Sequence, residues 1–139
     1  MLRTIGSVIT ATLAAVVIFT LAEQGIHALY PSPTGLDFNN KAATEAYMNT
    51  RPFAAYLLVL AGWIVGAFVA GLFVRRISTQ AGMLLPLVVG GILTVSAVLN
   101  FYMLPHPVWF VIVGVLVFVP SVLLGHSIGA TSSRQITRE

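Results

Sequence analysis

An acid and an imidazole lie one helical turn apart near the end of the first apolar segment. Glu23 and His27 occur in LAEQGIHALYP, directly after residues 4–22, which carry no charge. Residues i and i+4 share one face of a helix, and a charged group facing hydrocarbon is costly. We therefore expect the two side chains to hydrogen-bond each other and to face the interior of a helical bundle. His106, between two prolines in a predicted turn, is the third member of this candidate cluster.

Three kinds of chemistry fit the cluster of Glu23, His27 and His106. The first is structural, with the polar groups bonded to one another and to the following loop, as buried polar groups normally are. The second is a divalent metal site, since two imidazoles and a carboxylate are a zinc ligand set that leaves a fourth position open to water. The third is a proton or substrate site at the mouth of a cavity. We expect the structural role, and hence no cofactor; zinc is the alternative.

The composition is that of a chain whose solvent is lipid. Of 139 residues, 58% are hydrophobic and only 8% are charged, against about 25% in soluble domains. The chain has no cysteine, which excludes disulfide exchange, thiolate catalysis and Cys-ligated metal. The net charge of +3 comes from seven basic residues spread along the chain, so no nucleic-acid partner is expected.

Four apolar stretches are each long enough to cross a bilayer as a helix. The predicted fold is all-α: a single domain, residues 1–139, forming a polytopic four-transmembrane-helix bundle with a short outer loop helix. The predicted spans are residues 4–30, 52–74, 80–104 and 107–129, and the outer loop is 31–51. Thr20-Leu21-Ala22 is a poor signal-peptide cleavage site, so we expect the first span to be retained.

The distribution of basic residues predicts the orientation. One side of a four-span arrangement receives Arg3, Arg75, Arg76, Arg134 and Arg138, and the other receives Lys41 and Arg51. By the positive-inside rule, both termini are cytoplasmic in a bacterial inner membrane. Alternation of the spans also brings the supporting residues of the cluster to the outer side: Tyr30, Asn100, Tyr102 and Trp109. Asn100 is expected to hydrogen-bond between helices.

The outer loop contains the segment NNKAATEAYM, which is typical of a short capped helix. Asn39 or Asn40 is the expected cap, and Ala43, Ala46 and Tyr47 form the expected apolar edge. Such a helix is predicted to lie flat over the mouth of the bundle.

Small residues recur at helical spacing in the second and third spans. They are Gly62, Gly66, Ala70, Gly71, Gly90 and Gly91. Small residues let helix backbones approach closely in lipid. Packing within the bundle is the favoured interpretation, and a homo-oligomer or a larger membrane complex is the alternative. The expected partner in either case is the lipid bilayer.

The segments EQGIHALYPSPTGLD and PHPVWF together resemble an uncharacterised group of small four-helix bacterial inner-membrane proteins. The resemblance implies four spans and an inner-membrane location, and it carries no activity.

No catalytic motif accompanies these features, and His-Glu-x-x-His is absent. The leading hypothesis is a non-catalytic scaffold or accessory subunit that packs through small-residue faces. The alternative is a metal, lipid or small-molecule site on Glu23, His27 and His106. A small transporter is the second alternative, although the last three spans contain no Asp, Glu, Lys or Arg.

Overall fold

A computed structural model describes residues 2–78 and 82–136, with side chains as far as Gly129, and these ranges contain helices and no strand. The helices are α1 (Leu2–Leu29), α2 (Lys41–Thr50), α3 (Phe53–Ile77), α4 (Leu84–Met103) and α5 (Val108–Ile136). All but α2 contain a segment long and apolar enough to cross a membrane. The prediction of an all-α chain with four long apolar helices is confirmed.

Proline and asparagine residues define several helix ends. Pro52 directly precedes α3, where a missing backbone N–H is harmless. Pro86 lies in the first turn of α4, because the helix begins at Leu84, later than the predicted span. A proline at this position requires no kink, because the N–H groups of the first helical turn have no intrahelical partner. Asn40 is the cap of α2, and its side chain accepts a hydrogen bond from the backbone N–H of Ala43.

The loop between α1 and α2 turns at Gly35. Its φ of +81° is the only positive value among the described residues, and glycine adopts this conformation without steric cost. Shortly afterwards the Asp37 carboxylate accepts hydrogen bonds from the backbone N–H and the side-chain amide of Asn39, at 2.9 and 3.1 Å. These local bonds turn the chain back toward the bundle.

The four long helices form a bundle with one loose seam. Helix α3 packs extensively against α1 and α5, and α4 packs against α5. By contrast, α1 and α4 contact each other little. Around the bundle the neighbours are therefore α1, α3, α5 and α4, and the seam between α4 and α1 is the least closed.

Glycine residues make the tightest contact, between α3 and α5. A Cβ atom on Gly71 would overlap the carbonyl oxygen of Val122, and one on Gly125 would overlap the carbonyl oxygen of Phe68. Each helix thus provides a glycine where the other helix brings its backbone closest. Nothing larger than hydrogen fits at either position.

The other small residues serve different neighbours. A Cβ on Gly62 would lie 2.6 Å from Cβ of Ala22, and one on Gly66 would overlap the ring of Phe19, so both face α1. Ala70 is fully buried. The adjacent glycines of α4 differ from each other. Gly90 faces Val119 of α5, whereas a Cβ on Gly91 would meet nothing within 4 Å.

An aromatic cluster fills the space between the helices. The ring of Trp63 lies 5.7 Å from Phe101 and 5.3 Å from both Phe110 and Phe118. Phe19 of α1 contacts Phe118 at 5.9 Å. This cluster forms the floor beneath the polar residues at one end of the bundle.

Candidate functional site

The polar residues gather where α1 and α4 end and α3 and α5 begin, which we call the α2 end of the bundle. A cavity of about 140 Å³ lies there, and we call it the end cavity. Its polar wall residues are Glu23, His27, Tyr47, Arg51, Tyr56, Asn100 and His106, and Trp63 and Phe110 are among its apolar wall residues. All three members of the predicted cluster therefore line one cavity.

Helix α2 forms one side of the end cavity, held by buried groups. Thr44, Tyr47 and Met48 are the buried residues of this helix. The Tyr56 hydroxyl of α3 donates a 2.7 Å hydrogen bond to the Met48 carbonyl. This bond joins the end of α2 to the start of α3 and fixes the position of the intervening Arg51.

Tyr47 and Arg51 present buried polar atoms without partners. Tyr47 is 9% exposed, and its hydroxyl has no hydrogen-bond partner within the described chain. The Nε atom of Arg51 is likewise buried and unpartnered. The guanidinium lies 5.7 Å from the centre of the Tyr47 ring, within cation–π range. Each buried polar group without a partner lowers the stability of the fold by about 1–3 kcal/mol. A ligand that bonds to these two atoms would recover that cost.

His106 is enclosed by aromatic rings. It stacks on Phe110 at 5.2 Å with 12° between the planes, and it meets Phe101 edge-on at 5.2 Å. Burial lowers the pKa of His106, the hydrogen bond to the Leu104 carbonyl raises it, and the nearby Arg51 charge lowers it, with a net decrease. The ring is therefore neutral near pH 7. Since a carbonyl only accepts, Nδ1 carries the proton that bonds Leu104 at 2.7 Å, and Nε2 keeps a lone pair.

Glu23 and His27 line the end cavity but do not form the predicted pair. Both side chains are exposed within the chain, and no hydrogen bond or ion pair joins them in the described structure. The prediction of a bonded pair is wrong: both side chains are exposed, so no packed interface holds them in rotamers that bring the carboxylate and the imidazole together. No group of three His, Asp or Glu side chains within residues 2–78 and 82–136 is arranged to hold a metal ion.

The supporting residues occupy different positions. Asn100 lines the end cavity, and its side chain makes no hydrogen bond in the described chain, so the predicted interhelical bond is not formed. Trp109 packs against Phe53 at 4.9 Å. Tyr30 lines a shallower hollow of about 310 Å³ on the other side of α2, which Tyr47 and Arg51 also border. Tyr102 is 84% exposed and lines neither cavity.

Arg51 and Tyr47 are the site residues that sequence reasoning missed. The available signal was the location of Arg51, one of two basic residues on the side of the chain where basic residues are few. Arg51 lies beside a predicted span and next to aromatic residues, but from the sequence it is interpreted only as a signal of membrane orientation. Its burial depends on how α2 folds back, which hydropathy does not show.

Comparisons of the chain with known protein families, with curated proteins and with solved structures found no match. The class of protein therefore rests on the fold itself: a helical bundle in which four helices are apolar enough to span a membrane. Within that class, the distinguishing feature is the cavity at the α2 end.

Proposed function

We propose that this chain is a multi-pass membrane protein that binds an amphiphilic ligand through an anionic group in the end cavity. The observation that carries the proposal is that two residues lining the cavity, Tyr47 and Arg51, each have a buried polar atom without a partner in the described chain. A guanidinium offers several N–H donors in a planar fork that matches phosphate or carboxylate oxygens. The Tyr47 hydroxyl is a second unpartnered donor, on another residue that lines the same cavity.

The charges around the cavity support an anion as the bound group. Arg51 forms no ion pair with a carboxylate in the described chain. The neutral Nε2 of His106 does not add charge, but it can accept a hydrogen bond from a ligand hydroxyl or ammonium. The proposed anion accepts hydrogen bonds from the Arg51 guanidinium and from the Tyr47 hydroxyl, the two unpartnered donors.

The volume of the end cavity limits what it holds. About 140 Å³ is close to the cavity of about 150 Å³ that accommodates a benzene ring. Drug-sized ligands occupy about 300–1,000 Å³. The cavity therefore suits a head group, and the apolar remainder of the ligand would extend beyond it.

The proposal places the α2 end at the outer surface of a bacterial inner membrane, with both termini cytoplasmic and α2 as the short outer helix. The distribution of basic residues supports this orientation. In that arrangement the end cavity lies at the depth of the lipid head groups. A distance of about 30 Å from Arg3 to Glu23, at 1.5 Å per residue, matches the thickness of the hydrocarbon region.

Retention of phosphate-bearing lipid tests the proposal. Protein purified in mild detergent and washed extensively should keep about one lipid phosphate per chain, on the basis of one guanidinium site. Arg51→Gln should lose it. Arg76→Gln is the matched control, because Arg76 lies at the opposite end of the bundle, away from the end cavity, and its loss should leave retention unchanged. Equal retention in the Arg51 and Arg76 variants would overturn the proposal.

The scaffold hypothesis is the second candidate and finds less support in the geometry. Gly62, Gly66, Gly71 and Gly90 all face neighbouring helices of the same chain. Packing within one bundle therefore accounts for the spacing of these four glycines without a second copy of the chain. The zinc alternative remains a prediction, and the zinc content of purified protein before and after His27→Ala tests it.

A further inference from the structure

A second cavity opens in the loose seam between α1 and α4, and we call it the side cavity. Its volume is also about 140 Å³. Phe19 and Glu23 form the α1 wall, Ser96 and Ala97 belong to the α4 wall, and Trp63 and Phe118 form the floor. The cavity lies where the two helices make few contacts.

The end cavity and the side cavity adjoin. Glu23, Trp63 and Asn100 line both of them. The three residues come from three different helices, so the shared boundary crosses the bundle and is not confined to one helix. A single ligand can therefore occupy both cavities, and it would pass Glu23 where the two cavities meet.

Polarity changes from one cavity to the other along the bundle. The end cavity has Arg51, Tyr47 and His106 in its wall, whereas the floor of the side cavity is formed by the buried rings of Trp63 and Phe118. Polar groups thus lie near the helix ends, and apolar groups lie about a helical turn or more deeper. A membrane lipid has the same sequence of polar head and apolar chain, in the same direction.

Glu23 adds a second charge to the site. Its carboxylate forms no ion pair in the described chain, and it does not pair with Arg51. A ligand with a negative group at Arg51 and a positive group at Glu23 complements the charge of both side chains. A phosphate next to an ammonium, as in a zwitterionic phospholipid head group, meets that requirement.

Building on the proposed function, we propose that the ligand is a phospholipid with an ammonium-bearing head group, which reaches the site sideways from the bilayer. Its phosphate binds Arg51 and the Tyr47 hydroxyl, and its ammonium binds Glu23. One acyl chain leaves the bundle through the side cavity between α1 and α4. No covalent step is involved.

Trp63 provides a direct reporter, because it lines both cavities and the chain has only two tryptophans. In a Trp109→Phe background its fluorescence reports the site alone. The protein is reconstituted in unlabelled phosphatidylcholine vesicles. Phosphatidylethanolamine, phosphatidylcholine or phosphatidylglycerol with brominated chains is then included at equal low mole fraction, since bromine quenches tryptophan on contact.

Brominated phosphatidylethanolamine should quench Trp63 with an apparent affinity roughly three- to fivefold above that of phosphatidylglycerol, as expected for one added ion pair. Glu23→Gln should abolish that preference. Ala97→Leu, and Ser96→Leu at the exposed rim, should reduce quenching by every brominated lipid. Val98→Leu is the matched control, because Val98 is on the exposed side of α4 outside the cavity.

Two failures can be told apart. If Arg51→Gln leaves phosphatidylethanolamine quenching unchanged, the proposed anion site itself is wrong. A second outcome would keep the anion site but overturn sideways access from the bilayer. In that case Arg51→Gln weakens binding, but brominated lipid still quenches Trp63 normally in the Ala97→Leu and Ser96→Leu variants. Water-soluble glycerophosphoethanolamine would then also compete fully with the lipid. Equal quenching by phosphatidylethanolamine and phosphatidylglycerol in the unmodified site would overturn the role of Glu23.

Discussion

Two tyrosines at the α2 end differ in the surroundings of a single atom. The Tyr56 hydroxyl donates to the Met48 carbonyl at 2.7 Å, whereas the Tyr47 hydroxyl is buried without a partner in the described chain. Tyr56→Phe should therefore lower the free energy of unfolding by about 1 kcal/mol, the typical net value of a hydrogen bond. Tyr47→Phe should leave the stability of delipidated protein unchanged or raise it, because an unsatisfied group is removed.

Thermal unfolding of the two variants in detergent measures the difference, and lipid retention supplies the second readout. Tyr47→Phe should retain less phosphate-bearing lipid although its melting temperature does not fall. A large loss of stability in Tyr47→Phe would mean that the hydroxyl is satisfied within the folded chain, and that it is not available to a ligand.

His106 should make stability depend on pH. The pKa of His106 in the folded chain lies below the ordinary value of 6.5. Above about pH 6.5 the imidazole is therefore neutral in both the folded and the unfolded chain, and its effect on stability is most favourable there. As the pH falls from about 6.5 toward the folded pKa, the unfolded chain binds the proton first, and the free energy of unfolding decreases. His106→Phe, which keeps a ring beside Phe101 and Phe110, should flatten this slope.

Melting temperatures between about pH 7.5 and pH 5 test the prediction, with His27→Asn as the control. His27 is exposed, and its replacement should leave the slope of the parent protein in place. If His106→Phe lost stability in acid more steeply than the parent protein, the expected direction of the pH dependence would be wrong.

At the residue scale, the sequence indicated which end of the bundle carries the polar groups, but not which groups matter most. Parity of the spans was sufficient to bring Glu23, His27 and His106 to one cavity. Helical spacing alone did not predict the relation between Glu23 and His27, because two side chains on one face bond only if their rotamers converge. Arg51 and Tyr47 were missed because their burial is created by tertiary contacts of α2.

At the element scale, the glycines of α3 and α4 show that helical spacing alone does not identify which glycine makes a close helix contact. Gly71→Ala places a methyl group onto the Val122 carbonyl of α5, so the two helices must move apart, at a cost of about 1–3 kcal/mol. Gly91→Ala meets open space and should raise stability by about 0.5–1 kcal/mol, because alanine loses less backbone entropy than glycine in a helix. The midpoint of thermal unfolding should shift in opposite directions for the two variants.

Equal destabilisation by both alanine substitutions would show that α4 also uses Gly91 for a close contact, for example with a second copy of the chain. The mass of each variant in mild detergent distinguishes these cases. An unchanged mass together with opposite stability shifts supports packing within one bundle.

Helix α2 shows how much of a short amphipathic helix the spacing of its apolar residues can predict. Its existence and its cap at Asn40 follow from the sequence, and Tyr47 of the predicted apolar edge is buried. Ala46 is exposed, whereas Met48 is buried because the Tyr56 hydroxyl and the cavity wall meet it there. The face that a ten-residue helix buries is decided by the surface it meets, and that surface is absent from its own sequence.

At the scale of the whole molecule, hydropathy predicts the number and length of the helices but not their neighbours. Each long helix is apolar on most of its surface, so the sequence contains little information on which helix packs beside which. The structure shows that α3 is flanked by α1 and α5, and that α1 and α4 leave a seam. The side cavity follows from that order, and no single-helix pattern reveals it.

The orientation of the whole chain can be tested without disturbing it, because the sequence contains no cysteine. Asn39→Cys places one thiol in the exposed loop before α2, and Ser78→Cys places one just beyond the end of α3, at the opposite end of the bundle. In bacterial cells that express each variant, a membrane-impermeant maleimide should label Asn39→Cys in intact spheroplasts, and should label Ser78→Cys only after lysis. The positive-inside distribution of arginine is the reason for this expectation. Labelling of Ser78→Cys alone in intact spheroplasts would reverse the orientation and place the end cavity at the cytoplasmic leaflet, while leaving its lining residues together.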